Sequence, residues 1–355
     1  MDLKRLREYL PLVGAAYSKL RKLREAHRKL HWQLNETARQ RDELARERND
    51  LARQCQDLAG QCQDLARQNE VYRAHLQICP GGPPLLQAQS ESTRLRFIEL
   101  LRLIRPFDIA DRAKTRVGNP HDGGYVMIDD FGGVRAALSI GIGEEISWDM
   151  DMGRRGVVVF QFDHTIDAAP VLQRGFRFFR KRVGPSGKVD GETTLTGILE
   201  LEELRGDHNI LMKMDIEGDE WDALDVTSDA CIRRIRQCVI EFHQLENFAS
   251  AEWANRALRV FSKITQTHQV VHLHGNNHCG FVVLGGIPFP SVIEITLIRR
   301  DQHVFTPSQG RWPTALDAPN RPDVADLSIG TFGLLQANIS GWCGGSESPH
   351  HSRAP

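Results

Sequence analysis

Ile210-Leu-Met-Lys213-Met-Asp215-Ile-Glu217-Gly218-Asp219-Glu220-Trp221 passes without a break from an apolar run into carboxylates and a glycine. The run reads as a buried strand, and the acids with Trp221 mark the start of a helix. A lysine in such a strand is costly unless it finds an acidic partner, so Lys213 implies a paired site. Asp215 and Glu217 then sit at the strand's carboxyl end, where they can hold a cationic cofactor or take a proton. Acids of a first helical turn complement the helix dipole, which accounts for Asp219 and Glu220 but not for the whole Lys-x-Asp-x-Glu-Gly pattern.

Outward from this stretch the same alternation repeats. Apolar runs at 136–140, 157–162, 210–214, 237–241 and 268–273 are separated, in the later part, by amphipathic stretches at 194–205, 219–235 and 251–266. Strands alternating with helices imply an α/β fold with a doubly wound, mostly parallel sheet. Two last runs, 280–284 and 292–297, follow without a long helix and suggest an antiparallel hairpin at the sheet edge. Ligands of such a sheet bind outside the carboxyl ends of its strands. The first run ends in Ser139-Ile-Gly141-Ile-Gly143, where glycines let the backbone approach a nucleotide closely. Asp163 follows the second run, 22 positions after Gly141, near the spacing at which a carboxylate meets ribose hydroxyls. The competing reading of Asp163 is a helix cap, with Thr165 and Asp167 starting the helix.

Lys213-x-Asp215-x-Glu217-Gly218-x-Glu220 resembles the signature of FkbM-like methyltransferases, which O-methylate sugars and other secondary-metabolite hydroxyls. Phe160-Gln-Phe-Asp163-His164 falls where those proteins place a ribose-binding acid, and Ile240-Glu241-Phe-His243 matches their acid-bearing fifth strand. Arg116-Val-Gly118-Asn-Pro-His-Asp122-Gly-Gly-Tyr125 is similar to the Asp-Gly-Gly-aromatic element of a branch that includes animal methyltransferase-like proteins. The resemblance implies a class I, Rossmann-like fold with a seven-stranded sheet. It further implies S-adenosyl-L-methionine as cofactor, held by Gly141, Gly143, Asp163, Asp215 and Asp122. Two positions depart from the class: Ser139 stands where many members carry an acid, and Glu145 replaces a third glycine.

Methyl transfer to a hydroxyl needs alignment and benefits from a base. His243 is the first choice, with Glu241 or Glu217 orienting it. Asp215, Glu217, Glu241 and His243 could instead surround a divalent cation, and an oxygen-rich set suits Mg2+. His272 and His274 share one strand face and either point at a ligand or form a polar sheet edge. Trp312-Pro313, Leu316-Asp317 and Pro319-Asn320 suggest an ordered loop over the site.

The remainder of the chain bounds the setting. Its 355 residues carry a formal net charge of −1, so no global field draws it to nucleic acid or an anionic membrane. Seven cysteines, an odd count without zinc-ligand spacing, argue against a disulfide framework and for a reducing, cytoplasmic compartment. After an N-terminal segment 1–17, too short in apolar residues to span a bilayer, residues 18–78 read as a coiled coil. Three near-repeats begin at Asp50, Asp57 and Asp64. Leu23, Leu30, Leu44, Leu51, Leu58 and Leu65 fall at d, with Leu20, Leu34, Cys55, Cys62 and Asn69 at a, which implies a homo-oligomer. A Pro- and Gly-rich linker follows at 79–92, then the methyltransferase domain at 93–335 and a disordered tail at 336–355. The expected partner is a hydroxylated small-molecule or glycan acceptor. Two other readings stand beside this one: a non-catalytic coiled-coil scaffold with a degenerate domain, and a nucleotide-binding dehydrogenase, disfavoured by its single Gly-x-Gly.

Overall fold

The computed structural model describes residues 3–78, 86–87 and 90–332. The linker residues 79–85 and 88–89, the tail 336–355 and the side chains of Cys55, Leu58, Cys62, Leu65 and Asn69 lie outside the described set. The chain divides into two compact units, residues 1–69 and 70–355.

The first unit is built on one helix, α1, Leu3–Ile78. It begins earlier than expected and takes in Pro11 and Gly14, residues whose cost in a helix interior argued for a later start. Leu20, Leu23, Leu30, Leu34, Leu44 and Leu51 are 48–68% exposed along it. Among the described residues no helix is long and apolar enough to cross a membrane.

The second unit holds a seven-stranded sheet. Its strands are β1 (Ala136–Ile140), β2 (Val158–Phe162), β3 (Phe176–Phe179), β4 (Ile210–Met214), β5 (Ile235–Phe242), β6 (His268–Gly275) and β7 (Ile293–Arg299). Their spatial order is β3-β2-β1-β4-β5-β7-β6. The pairs β3–β2, β2–β1, β1–β4 and β4–β5 are parallel, whereas β7 runs antiparallel to both β5 and β6. This is the mostly parallel, doubly wound sheet that the alternation implied.

Side-chain alternation covers both faces. Leu138, Met212 and Ile240 join Phe97, Leu100, Trp221, Val260 and Phe261 in one buried cluster. Their neighbours Ala137, Leu211 and Val239 join Tyr125, Met127, Trp148 and Met152 in another. The period of two thus splits each strand between two layers, and each fully buried Leu or Phe contributes roughly 1.5–3 kcal/mol. Helices α2 (Glu91–Leu103), α5 (Glu220–Val226) and α7 (Ala251–Ile264) supply the first layer, and α3 (Ser147–Arg154) with the hairpin 114–117/125–128 supplies the second. Helix α7 shows the local logic: Ser250 caps the Trp253 N–H, and Ala254, Ala257, Val260, Phe261 and Ile264 form its buried stripe.

Three expectations change. Phe281–Leu284 does not pair with β7; it forms a separate hairpin with Ile287–Pro290, and β7 enters the sheet between β5 and β6. The stretch 194–205 is helical only over α4 (Leu195–Leu199), and 219–235 splits into α5 and α6 (Asp229–Ile232), parted at Thr227. No helix joins β2 to β3, so Asp163 caps none.

Candidate functional site

The sheet's order reverses between β1, whose neighbours lead to β2 and β3, and β4, which leads the other way. The crevice beyond their carboxyl ends is where such sheets bind ligands. A cavity of about 390 Å³ opens there, lined among others by Asp122, Tyr125, Gly141, Gly143, Asp163 and Lys213, with Asp215 and Glu217 at one side. All five residues expected to hold a cofactor line it.

Three turns form its floor and fit one another closely. After β1, Gly141 has φ 76° and Gly143 φ 48°. A Cβ on Gly141 would lie 1.7 Å from the Asp215 carbonyl oxygen, so the β1 and β4 turns can abut only through a glycine. A Cβ on Gly143 would meet nothing within 4 Å and would project into open space. Asp163, 6% exposed, binds this turn: Oδ2 accepts from Ile142 N (2.9 Å) and Gly143 N (2.8 Å). Its Oδ1 accepts from Thr165 N (2.7 Å) and Thr165 Oγ1 (2.6 Å). Burial alone would raise the Asp163 carboxyl; the donors of Thr165, Gly143 and Ile142 outweigh it and hold the group below the usual carboxylate range.

Lys213 answers the question its burial posed. Nζ donates to the Gly141 carbonyl at 2.6 Å, stands 3.8 Å from Asp215 Oδ2 and lies 5.9 Å from the Tyr125 ring centroid. Its chief partner is therefore a backbone oxygen, and the lysine ties the β1 turn to β4. Ser139, where an acid was expected, donates Oγ–H to Asp149 Oδ2 at 3.0 Å, and Gln161 donates to Oδ1 at 2.9 Å. Ser139 is thus paired with a buried acid on α3, ten residues along. Glu145 in turn accepts from Ser147 N and Asn119 Nδ2 and fixes the start of α3.

Beside the cavity lies the acid cluster. Glu220 is wholly buried and accepts from Ile216 N (2.8 Å), Gly218 N (3.0 Å) and His243 Nδ1 (3.1 Å). It closes the left-handed turn at Glu217 (φ 58°) and Gly218 (φ 112°) and orients the imidazole. Sequence reasoning gave that orienting part to Glu241 or Glu217. Those two instead flank the other ring nitrogen: Nε2 stands 3.6 Å from Glu241 Oε1, 3.5 Å from Glu217 Oε2 and 3.9 Å from Asp215 Oδ1. Burial opposes a charge on His243, but Glu220, Asp215 and Glu217 prevail and raise its pKa above the usual histidine value. Burial, then Asp215 and Glu294, push Glu241 well above the carboxylate range.

His272 and His274 do not line the cavity. His272 Nε2 lies 2.7 Å from Asp317 Oδ1; burial lowers the His272 pKa, so a neutral imidazole donates to the carboxylate. His274 sits between Glu294 (Nδ1, 3.1 Å) and Asp326 (Nε2, 3.1 Å). Both fasten residues 310–332 to the sheet, as does Asn320, which donates to Glu294 (2.8 Å) and Asp122 (3.1 Å). The loop around Trp312 is ordered, with Trp312 wholly buried, but it does not line the cavity.

No family model matches the chain, and no curated protein matches it. Among solved structures, a SAM-dependent methyltransferase from Agrobacterium tumefaciens aligns at 14% identity and TM-score 0.27 over 47% of this chain. The aligned part spans 56% of that structure's length. A putative hemolysin from Streptococcus thermophilus aligns at 10% identity and TM-score 0.26, covering 50% of this chain and 72% of its own. Precorrin-6y C5,15-methyltransferase from Geobacter metallireducens GS-15 aligns at 12% identity and TM-score 0.24, covering 60% and 94%. Likenesses this weak carry no inference. The strand order and the single antiparallel strand inside the sheet are what fit the Rossmann-like class I methyltransferase fold.

Proposed function

We propose that the chain is an S-adenosyl-L-methionine-dependent methyltransferase acting on a hydroxyl of a sugar, glycan or natural product. The observation that carries this reading is the cavity at the reversal point of the sheet, floored by the Gly141–Gly143 turn and walled by carboxylates. The residues present suit the cofactor. The volume of about 390 Å³ falls within the range of small-molecule sites. Gly143 leaves open the space a Cβ would fill, and Asp122, Asp215 and Glu217 oppose the cofactor's positive charges. The chemistry that such a cofactor supplies is an electrophilic methyl group on sulfur.

The chain's own residues do the rest. Asp163 shapes the turn by holding its N–H groups, Lys213 locks that turn to β4, and Glu220 fixes the His243 ring. In a metal-free site, His243 Nε2 takes the acceptor's proton, with Glu220, Asp215 and Glu217 around the ring to stabilise the imidazolium. The scaffold alternative drew on Ser139 and Glu145, and both have local partners that support the turn. Oligomerisation through α1 belongs to the same proposal, motivated by its exposed heptad leucines.

Calorimetric titration with S-adenosylhomocysteine tests the reading. Micromolar binding that Asp163→Ala abolishes supports it; no binding by the folded protein defeats it.

A further inference from the structure

Among the described residues, His243 Nε2 makes no hydrogen bond. Its three nearest carboxylate oxygens, on Glu217, Glu241 and Asp215, stand at 3.5, 3.6 and 3.9 Å, beyond hydrogen-bond length. These separations are nonetheless below about 4.2 Å, the widest spacing of two ligands each about 2.1 Å from one ion. One ligand atom from each of Asp215, Glu241 and His243 can be chosen so that all lie within 4.8 Å of one another. Ligands about 2.1 Å from one ion at tetrahedral or octahedral angles stand roughly 3.0–3.5 Å apart, so side-chain rotations that close the widest separation by up to about 1.5 Å would place all three around a common centre.

A second, independent observation concerns Glu241. It is 4% exposed and receives one hydrogen bond, from Asn276 Nδ2 to Oε1 at 2.6 Å. Among the described residues no donor reaches its Oε2. The carboxylates of Asp215, Glu294 and Asp122 all raise its pKa, His243 Nε2 stands 3.6 Å from its Oε1, and Lys213 Nζ faces the Gly141 carbonyl and Asp215. Burial among other acids favours the neutral form of Glu241, and a cation shared between them is what would hold it ionised.

The surroundings also pre-orient the donors. His243 Nδ1–H points to the buried Glu220 carboxylate, which fixes the tautomer and turns the Nε2 lone pair toward Asp215 and Glu241. A carboxylate behind a histidine is the usual support of a metal-bound imidazole.

We propose that Asp215, Glu241 and His243 Nε2 hold a divalent first-row transition cation, with Glu217 at its rim and open positions facing the acceptor. The inference rests on the methyl-transfer reading for its purpose, but not for its geometry. An imidazole nitrogen among the ligands favours Mn2+, Fe2+, Co2+ or Zn2+ over Mg2+, which prefers oxygen and its own waters. This departs from the Mg2+ expected on carboxylates alone. In the loaded state His243 is a ligand and not a base.

The test uses the full chain, stripped with chelator and titrated with Mn2+, with loss of the free-ion electron paramagnetic resonance signal as readout. The expected result is one Mn2+ bound per chain, displaced by Zn2+ but not by about a hundredfold excess of Mg2+. His243→Gln and Asp215→Asn should each weaken binding at least tenfold, and Asn276→Ala by about tenfold through Glu241. Circular dichroism identifies folded variants; if one of the two ligand variants does not fold, the other decides. Retained Mn2+ affinity in a folded ligand variant overturns the proposal. So does the absence of Mn2+ binding by wild type that binds S-adenosylhomocysteine, an outcome that leaves the methyltransferase reading intact. Mn2+ binding without S-adenosylhomocysteine binding upholds the ion site and defeats the methyltransferase reading instead.

Discussion

At the scale of single residues, Asp163 shows how a site residue can be placed by sequence and still surprise in its work. The spacing from Gly141 predicted a ribose-binding carboxylate, but its oxygens are engaged by four donors, two on the β1 turn and two on Thr165. Its effect on a ligand then runs largely through the shape of the turn. Because the folded carboxyl lies below its ordinary value, it stabilises the fold above about pH 4, the unfolded value, and that stability is lost as pH falls through the folded pKa. Asp163→Asn should therefore flatten the acid limb of a stability–pH profile measured by urea unfolding, and cost about 1–2 kcal/mol near neutrality. An unchanged acid limb would show that the carboxylate's bonds do not contribute. Lys213 and Glu220 mark where the sequence stops informing. The burial of Lys213 called for a partner and Glu220 read as a first-turn acid, but what they bind, the Gly141 carbonyl and the His243 ring, lies beyond the ends of other strands.

At the scale of elements, the turn after β1 carries two glycines with opposite duties. Gly141→Ala would drive a Cβ against the Asp215 carbonyl and should destabilise the protein by at least about 2 kcal/mol in chemical denaturation. Gly143→Ala meets no atom, so its cost should stay near 1 kcal/mol while S-adenosylhomocysteine affinity falls at least tenfold. Equal destabilisation by the two changes would contradict this division. The strands themselves were legible: β1 and β4 match their apolar runs, because strands buried on both faces read as continuous apolar segments. The edge strand β3 was not, since Phe176-Arg-Phe-Phe179 is half-exposed and too short to stand out. Nor could apolar content tell that 281–284 pairs with 287–290 while β7 slips between β5 and β6. Partner choice is a long-range property that composition does not encode.

At the scale of the whole molecule, residues 310–332 are held to the sheet by charge as much as by packing. Burial would keep His274 neutral, but Glu294 and Asp326 raise its pKa well above the ordinary value. Its stabilising share is complete below about pH 6.5 and is lost as pH rises through the folded pKa. Thermal unfolding should therefore show an alkaline decline that His274→Gln removes, and a variant that keeps the decline would assign it elsewhere. The two units make the last prediction. Among the described residues, every member of the buried clusters belongs to the second unit, between Phe97 and Phe332, so that unit holds its own core. The α1 leucines described along the first unit are exposed at heptad spacing, and a lone helix gains little in water from leucines it cannot bury. A second copy of the chain offers the matching seam. Deleting residues 1–80 should lower the mass measured by light scattering to that of one truncated chain and leave S-adenosylhomocysteine affinity within about twofold. A full-length chain that is already monomeric would refute the coiled coil. Lost affinity in a folded, monomeric truncation would instead mean that the helix supports the site.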